Sequence, residues 1–205
     1  MIAIVDYGVN NLRSVQKALE HVGADAVVTD DKHVIRDAQG VILPGVGAFG
    51  DAMVILHRSG LDEVIRDVAE RKIPLLGICL GMQLLFDDSE EMGAHHGLGI
   101  LPGKIVRLPA GPGLTVPHIG WNQIHPRRAH VLLDGVEEGA FAYFVHSYCV
   151  LPADEDIVLA TTDYGCDFVS VFGCDQLFGA QFHPEKSQNV GLTLLGNFAK
   201  VVGAA

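Results

Sequence analysis

The stretch PLLGICLGMQ (residues 74–83) carries an apolar run into a thiol, Cys79, that stands between two glycines. Residues 73–78 are predicted to form a buried strand, and residues 80–86 the helix that follows it. A nucleophile at such a junction occupies a sharp turn, where small residues two positions to either side relieve crowding. The helix N-terminus favours the reactive thiolate, and the amide of Leu80 points to where an oxyanion forms. We therefore take Cys79 as a candidate nucleophile, with a buried structural cysteine as the alternative.

The sequence around this stretch alternates short apolar runs with segments of helical period. In the first helical segment, Asn10 or Asn11 is the predicted cap and Gly23 the end. This alternation predicts an α/β fold with mostly parallel strands and right-handed crossovers. From about Gly97 the runs are short and β-like, which predicts hairpins or an antiparallel extension of the sheet before a closing helix at 190–202. The predicted strands are 2–5, 26–29, 41–43, 73–78, 100–108, 118–124, 141–150, 157–162, 168–172 and 177–182.

Length and composition narrow the class of protein. The 205 residues predict one domain, 1–205, and the net charge of −11 argues against a nucleic-acid surface. No apolar run approaches the roughly 18 residues of a membrane span, and the start is interpreted as a first strand and not as a signal peptide. The four cysteines show no CxxC spacing, so neither a zinc site nor a disulfide framework is indicated. These features predict a cytoplasmic protein.

A second motif, QFHPEK (residues 181–186), supplies a base and its orienting group. In an extended segment, His183 and Glu185 point the same way, so the carboxylate can hold one imidazole nitrogen while the other faces a thiol. The alternative is a surface histidine beside a solvated glutamate. The apolar run before the motif favours the catalytic interpretation, because it delivers the pair to a strand end, where sites of α/β proteins occur.

The glycines of GVGAFG (residues 45–50) match a dinucleotide-binding pattern after a strand. The acid that such a site requires is poorly placed, because Glu70 precedes the next strand instead of ending it. We expect this loop to present backbone N–H groups to an anion, as part of an oxyanion hole. Gln83, four residues after the thiol, shares its helix face. Metal binding is not expected at His95-His96, His118 or His125, for which surface or loop roles are expected.

Taken together, these motifs resemble the class I (triad) glutamine amidotransferase family. GICLGMQ (77–83) and HPE (183–185) carry that resemblance. Five further motifs are similar to the glutaminase subunits of imidazole glycerol phosphate synthases: DYGVNNL (6–12), PGVGAF (44–49), HIGWN (118–122), YFVHSY (143–148) and FHPEKS (182–187). The resemblance covers nearly the whole chain. It implies a flavodoxin-like fold and hydrolysis of L-glutamine to glutamate and ammonia, without a cofactor or a metal.

The resemblance also implies a role for each site residue. Cys79 attacks the carboxamide, His183 takes the thiol proton and passes it to ammonia, and Glu185 orients His183. The amide of Leu80 and an amide of the loop at Val46 and Gly47 hold the oxyanion. Implied substrate contacts are Gly45, Gln83, His146, Ser147 and Tyr148, and implied partner contacts are Asn10, Asn11, Trp121, Tyr143 and Lys186.

The implied partner is a separate (β/α)8 cyclase subunit, which forms a heterodimer with this chain. It uses the ammonia to make imidazole glycerol phosphate and the purine precursor AICAR in histidine biosynthesis. No nucleic acid and no membrane is expected. Three alternatives stay open: a glutaminase serving another synthase such as pyridoxal phosphate synthase, an inert regulatory module of the same fold, and a stand-alone cysteine hydrolase or peptidase.

Overall fold

A computed structural model describes residues 1–8, 11–111 and 113–204 of the chain. The strands are β1 (Ile2–Val5), β2 (Ala26–Thr29), β3 (Gly40–Gly45), β4 (Leu75–Cys79), β5 (Phe86–Ser89), β6 (His95–His96), β7 (Leu101–Arg107), β8 (His118–Pro126), β9 (Ala140–His146), β10 (Tyr148–Pro152), β11 (Val158–Asp163), β12 (Asp167–Cys174) and β13 (Leu177–Ala180). The helices are α1 (Leu12–His21), α2 (Lys32–Asp37), α3 (Phe49–Ser59), α4 (Leu61–Glu70), α5 (Leu80–Leu84) and α6 (Gln188–Val202). Short 3-10 turns span Val131–Leu133, Glu155–Ile157 and Pro184–Lys186.

The central sheet has nine strands in the order β2-β1-β3-β4-β13-β12-β11-β8-β9. The strands from β2 to β13 run parallel, and the remaining four are added antiparallel. This arrangement confirms the predicted α/β class and the antiparallel extension. Because β4 and β13 are neighbours in register, the sheet brings the segments that follow Cys79 and Ala180 to the same edge.

The inner parallel strands β1, β3 and β4 are buried on both faces, which explains their continuous apolar sequences. Ile2 and Ile4 of β1 pack in one cluster with α1 and α6, and Ala3 and Val5 pack in a second cluster with α3 and α4. Strand alternation thus divides one short run between two cores. Within the described residues, no helix is both long enough and apolar enough to cross a membrane.

The structure corrects the prediction after the thiol. The predicted helix 80–86 ends at Leu84, because Phe86 opens strand β5 and pairs with Leu101 of β7. This strand belongs to a second, four-stranded sheet of order β10-β7-β5-β6, which was not predicted. His95 and His96 form its outermost strand. The predicted strand 141–150 is in fact two strands, which lie in different sheets and break at Ser147.

Two helix starts also differ from expectation. Helix α2 was not predicted, although Asp31 caps it by accepting hydrogen bonds from the amides of His33 and Val34. Asn11 precedes α1 with a left-handed φ of 78°, and its side chain does not cap the helix. Asn10, the other predicted cap, lies outside the described residues.

Candidate functional site

Cys79 ends β4 in a strained turn that leads directly into α5. Its φ of 53° and ψ of −113° place a non-glycine residue in a region that L-residues rarely adopt. The flanking glycines make this turn possible. A Cβ atom at Gly77 would lie 2.5 Å from the Cα atom of Met82, and one at Gly81 would overlap the carbonyl oxygen of Leu43. The backbone of β3 therefore packs directly on the turn, and no side chain fits between them.

His183 and Glu185 meet across a 3-10 turn and not along an extended strand, which corrects the predicted geometry. The Nδ1 atom of His183 lies 2.8 Å from Oε1 of Glu185. The backbone holds this turn against β9, since the amide of His183 donates to the carbonyl of Tyr143 at 3.0 Å. Ser187 Oγ donates to the carbonyl of His183 at 2.7 Å and accepts from the amide of Tyr143 at 2.9 Å. The imidazole is thus fixed by contacts at both its ring and its backbone.

The pair is buried, with side-chain exposures of 3% for His183 and 0% for Glu185. Burial lowers the pKa of His183, but Cys79 and Glu185 offset this effect and raise it to about 10. Because Nδ1 is bound to Glu185, Nε2 is the nitrogen left for the thiol. It is buried and makes no hydrogen bond of standard geometry to the described residues. The carboxylate also accepts from Asn11 Nδ2 at 2.5 Å, so Asn11, predicted as a helix cap or a partner contact, directly supports the orienting group.

Cys79 and His183 open into a cavity of about 300 Å³. The structure brings seven of the predicted oxyanion and substrate residues to its walls: Val46, Gly47, Leu80, Gln83, His146, Ser147 and Tyr148. Gly45 does not line it. A Cβ there would lie 2.7 Å from the amide nitrogen of Gly81 and 2.8 Å from Tyr7 Oη. Gly45 therefore allows β3 to pack against the Cys79 turn.

Glu91 is a cavity residue that the sequence analysis missed. Its Oε2 atom accepts a hydrogen bond from the amide of Phe49, the first residue of α3, at 2.7 Å. This contact ties the chain after β5 to the loop that contains Gly47, whose φ is 101°. A carboxylate in the wall suits a substrate with an ammonium group. The adjacent acids at residues 90 and 91 were the available signal in the sequence.

A chain of buried imidazoles supports the segment from His146 to Tyr148. His146 Nδ1 donates to the carbonyl of Tyr148 at 2.9 Å, so its Nε2 accepts from His118 Nδ1 at 3.3 Å. His118 stacks on Tyr164 with ring centroids 3.9 Å apart. His118 is 4% exposed, so the expectation of a surface or loop role for it was wrong. Gln83 Nε2 donates to the same Tyr148 carbonyl at 2.9 Å.

This imidazole chain predicts that acid destabilises the fold. Burial lowers the pKa of His146 from 6.5 to about 4, and burial also lowers that of His118. The unfolded state then binds protons more readily, so stability present above pH 6.5 is lost as the pH falls towards 4. One pKa unit corresponds to about 1.4 kcal/mol. Protonation of His146 in the unfolded state should therefore lower the free energy of unfolding by roughly 3 kcal/mol as the pH falls across this range.

Urea unfolding at a series of pH values measures this loss. His146→Gln should flatten the dependence between pH 6.5 and 4, and His33→Gln, which replaces an exposed histidine, is the matched control. An equal acid dependence in His146→Gln and the unsubstituted chain would contradict the assignment.

Exposed aromatic side chains lie beside the site, on one face of β8 and β9. Trp121 pairs with Tyr143 across the two strands, with ring centroids 5.9 Å apart. Lys186 Nζ lies 5.9 Å from the Tyr143 ring centroid, which is cation–π range. Trp121 is 46% exposed and Phe141 54% exposed. We call Trp121, Phe141, Tyr143 and Lys186 the aromatic patch. The carbonyl of Tyr143, a residue of this patch, accepts a hydrogen bond from the amide of His183, so the patch adjoins the candidate site.

Known proteins are similar to this chain over almost its whole length. The family model for glutamine amidotransferase class-I matches residues 3–201. The imidazole glycerol phosphate synthase subunit HisH of Moorella thermoacetica is 55% identical, with 98% of this chain and 95% of that protein covered. The proteins of the same name from Geobacillus thermodenitrificans and Aquifex aeolicus are 52% and 54% identical, over 98% and 96% of this chain and 96% and 95% of those proteins.

Solved structures show the same fold at lower identity. A glutamine amidotransferase crystal structure superposes with a TM-score of 0.77 at 19% identity, over 99% of this chain and 100% of that one. The structure of PurLQS from Thermotoga maritima superposes with a TM-score of 0.75 at 20% identity, over 98% of this chain and 97% of the matched one.

Proposed function

The chain belongs to the glutamine amidotransferase class-I family. Within this family, we propose that it is the glutaminase subunit of an imidazole glycerol phosphate synthase. The observation that carries the proposal is the identity of 52–55% to proteins of that name over almost their whole length. A glutaminase of pyridoxal phosphate synthase is not favoured, because the similar proteins named above belong to the other synthase. The buried Cys79, His183 and Glu185 support an active enzyme over an inert module.

The proposed reaction uses each side chain where the structure places it. The thiol proton passes to His183 Nε2, and Cys79 Sγ attacks the carboxamide carbon of L-glutamine. The amides of Leu80 and of the loop at Val46 and Gly47 stabilise the oxyanion. The C–N bond breaks as His183 returns the proton to the leaving ammonia, and water then releases glutamate from the thioester. Glu185 keeps the imidazole in the tautomer that has Nε2 free.

Glu91, Gln83 and the segment from His146 to Tyr148 are the proposed substrate contacts. Gln83 Nε2 already donates to Tyr148 and to Gln181, so its Oε1 atom is the group left to accept from the substrate. The Glu91 carboxylate suits the α-ammonium group of glutamine. Together they supply two acceptors for a substrate that carries an ammonium and a carboxamide.

We propose that the ammonia passes to a separate (β/α)8 cyclase subunit. That subunit would combine it with an aminoimidazole carboxamide ribonucleotide intermediate, giving imidazole glycerol phosphate and AICAR in histidine biosynthesis. The proposed interface includes the aromatic patch, Asn11 and Asn10, the last of which lies outside the described residues. Residues 1–205 are proposed to act as one glutaminase domain in the cytoplasm. The exposed rings of the patch support this interface, because an apolar surface next to the site suits a partner that receives the product.

Ammonia release with and without the partner tests this function. We expect the chain alone to hydrolyse glutamine slowly, and the addition of the cyclase subunit with its ribonucleotide ligand to raise ammonia release sharply. A glutamate dehydrogenase assay follows both states. Equal stimulation by the synthase subunit of pyridoxal phosphate synthase would overturn the assignment, and full activity without any partner would indicate a stand-alone hydrolase.

Trp121→Ala tests the aromatic patch. Large buried aromatic residues dominate many interfaces, so this truncation should weaken binding of the cyclase subunit by roughly 30-fold. Calorimetry or biolayer interferometry measures the dissociation constant. Val54→Ala is the matched control, since Val54 is 48% exposed and Trp121 46% exposed, and Val54 lies on α3. Equal affinity of Trp121→Ala and the unsubstituted chain would remove this patch from the interface.

A further inference from the structure

Gln181 is a fully buried amide that contacts both the nucleophile, Cys79, and the cavity residue Gln83. It follows the last residue of β13 and is 0% exposed. Its backbone amide donates to the carbonyl of Ser170 at 2.9 Å, which fixes the main chain at the sheet edge. The role assigned to the neighbouring His183 and Glu185 makes no use of this side chain. A buried carboxamide is retained only where its polar atoms find partners.

The orientation of this amide follows from the groups around it. The carbonyl of Tyr148 is only an acceptor, so Gln83 must turn its Nε2 towards it, at 2.9 Å. The same nitrogen lies 3.0 Å from Gln181, which must therefore present Oε1. The Nε2 atom of Gln181 is then left facing Cys79 Sγ at 3.8 Å. The backbone carbonyl of Tyr148 therefore sets the orientation of both side-chain amides, that of Gln83 and that of Gln181.

The sulfur consequently lies between an acceptor and a donor. The carbonyl of Val145 lies 3.8 Å from Sγ and accepts from the neutral thiol. Once the thiol proton is on His183, the sulfur has no hydrogen to offer Val145, and the negative sulfur is stabilised by the charge of the imidazolium and by hydrogen-bond donors. Apart from His183, Gln181 is the described side chain that donates a hydrogen bond to Sγ, and it does so from an uncharged group. Burial makes such a donor count more, because no solvent replaces it.

We propose that Gln181 is a further catalytic residue, which stabilises the Cys79 thiolate through its Nε2–H group. The proton leaves Sγ for His183 Nε2, and the hydrogen bond from Gln181 then strengthens because its acceptor has become charged. Through Gln83, the same series connects the thiolate to the wall of the substrate cavity. This inference rests on the proposed glutaminase chemistry, in which the thiolate is the attacking species.

Alkylation of Cys79 by iodoacetamide tests the proposal on the isolated chain. The rate is measured as a function of pH, and mass spectrometry separates Cys79 from the other three cysteines. Gln181→Met and Gln181→Leu replace the carboxamide by an apolar side chain of similar size and so remove the donor. We expect both to raise the pH midpoint of alkylation by about one unit. Thr162→Val, which changes another fully buried polar residue, should leave the midpoint unchanged.

A second measurement on the unsubstituted chain does not depend on the variants folding. The side-chain amide resonances of Gln181 should shift as Cys79 titrates or is alkylated. Variants that fold and alkylate at the original midpoint, or a Gln181 amide that does not respond to Cys79, would overturn the proposal. Either result would leave the proposed function intact, since that function is tested by ammonia release in the complex with the cyclase subunit.

Discussion

Replacement of Cys79 by alanine should lower ammonia release from glutamine, in the complex with the cyclase subunit, by about 10⁴-fold or more. The reason is that the carboxamide then has no nucleophile, and the neighbouring amides and His183 retain only the residual catalysis of a binding site. The glutamate dehydrogenase assay measures this loss. Synthesis of imidazole glycerol phosphate from added ammonium salt should continue, because that step needs no thiol.

Cys174→Ala is the matched control for loss of a thiol. Cys174 ends β12 and is outside the walls of the site cavity, so its variant should keep the original rate. A Cys79→Ala enzyme with unchanged glutamine-dependent turnover would show that the nucleophile lies elsewhere. Loss of the ammonium-dependent synthesis as well would show instead that the substitution damages the complex.

The parallel half of the sheet was predictable because its signals are local. Strands such as β1 and β4 are continuous apolar runs, and each leads into a segment of helical period. The turn at Cys79 was predictable for the same reason, since the two glycines lie within two residues of the thiol. Fewer than ten neighbouring residues determine each of these elements. The strands are buried on both faces, so each is one continuous apolar run that the sequence shows directly.

The second sheet could not be predicted in this way. Strand β5 has the sequence FDDS, in which Phe86 is the one apolar residue, and β6 has two residues. Neither is long enough to show a period of two. Strand β6 pairs with β5, and β5 pairs with β7, whose sequence LPGKIVR fits a hairpin equally well. Tertiary contacts, and not the β-propensity of the residues, determine whether such segments form strands.

The site shows the same division between local and distant information. The pairing of His183 with Glu185 was expected from two residues in one motif, although the 3-10 turn that joins them was not. Glu91, His118 and Gln181 act through partners that are distant in the sequence, such as Phe49 for Glu91. A single polar residue in a sequence does not reveal its partner. Their roles follow only when the sheet order is known.

Gly81→Ala should destabilise the fold by about 3 kcal/mol or more and remove most of the glutaminase activity. The added Cβ would overlap the carbonyl oxygen of Leu43 and lie 3.1 Å from the carbonyl carbon of Pro44. These are backbone atoms of a central strand, so neither can rotate away, and relief requires β3 or the Cys79 turn to move. Urea unfolding measures the loss of stability, and the cyclase complex measures the activity.

Gly196→Ala is the control that separates crowding from the general effect of adding a methyl group. Gly196 lies inside α6, and a Cβ there would meet only the side chain of Val22, at 3.7 Å. Alanine should therefore stabilise the helix by roughly 0.5–1 kcal/mol, with activity unchanged. Opposite signs for the two substitutions are the expected result, because the same chemical change meets backbone at one position and ordinary contact at the other. A stable, active Gly81→Ala protein would mean that the Cys79 turn does not depend on close approach of β3.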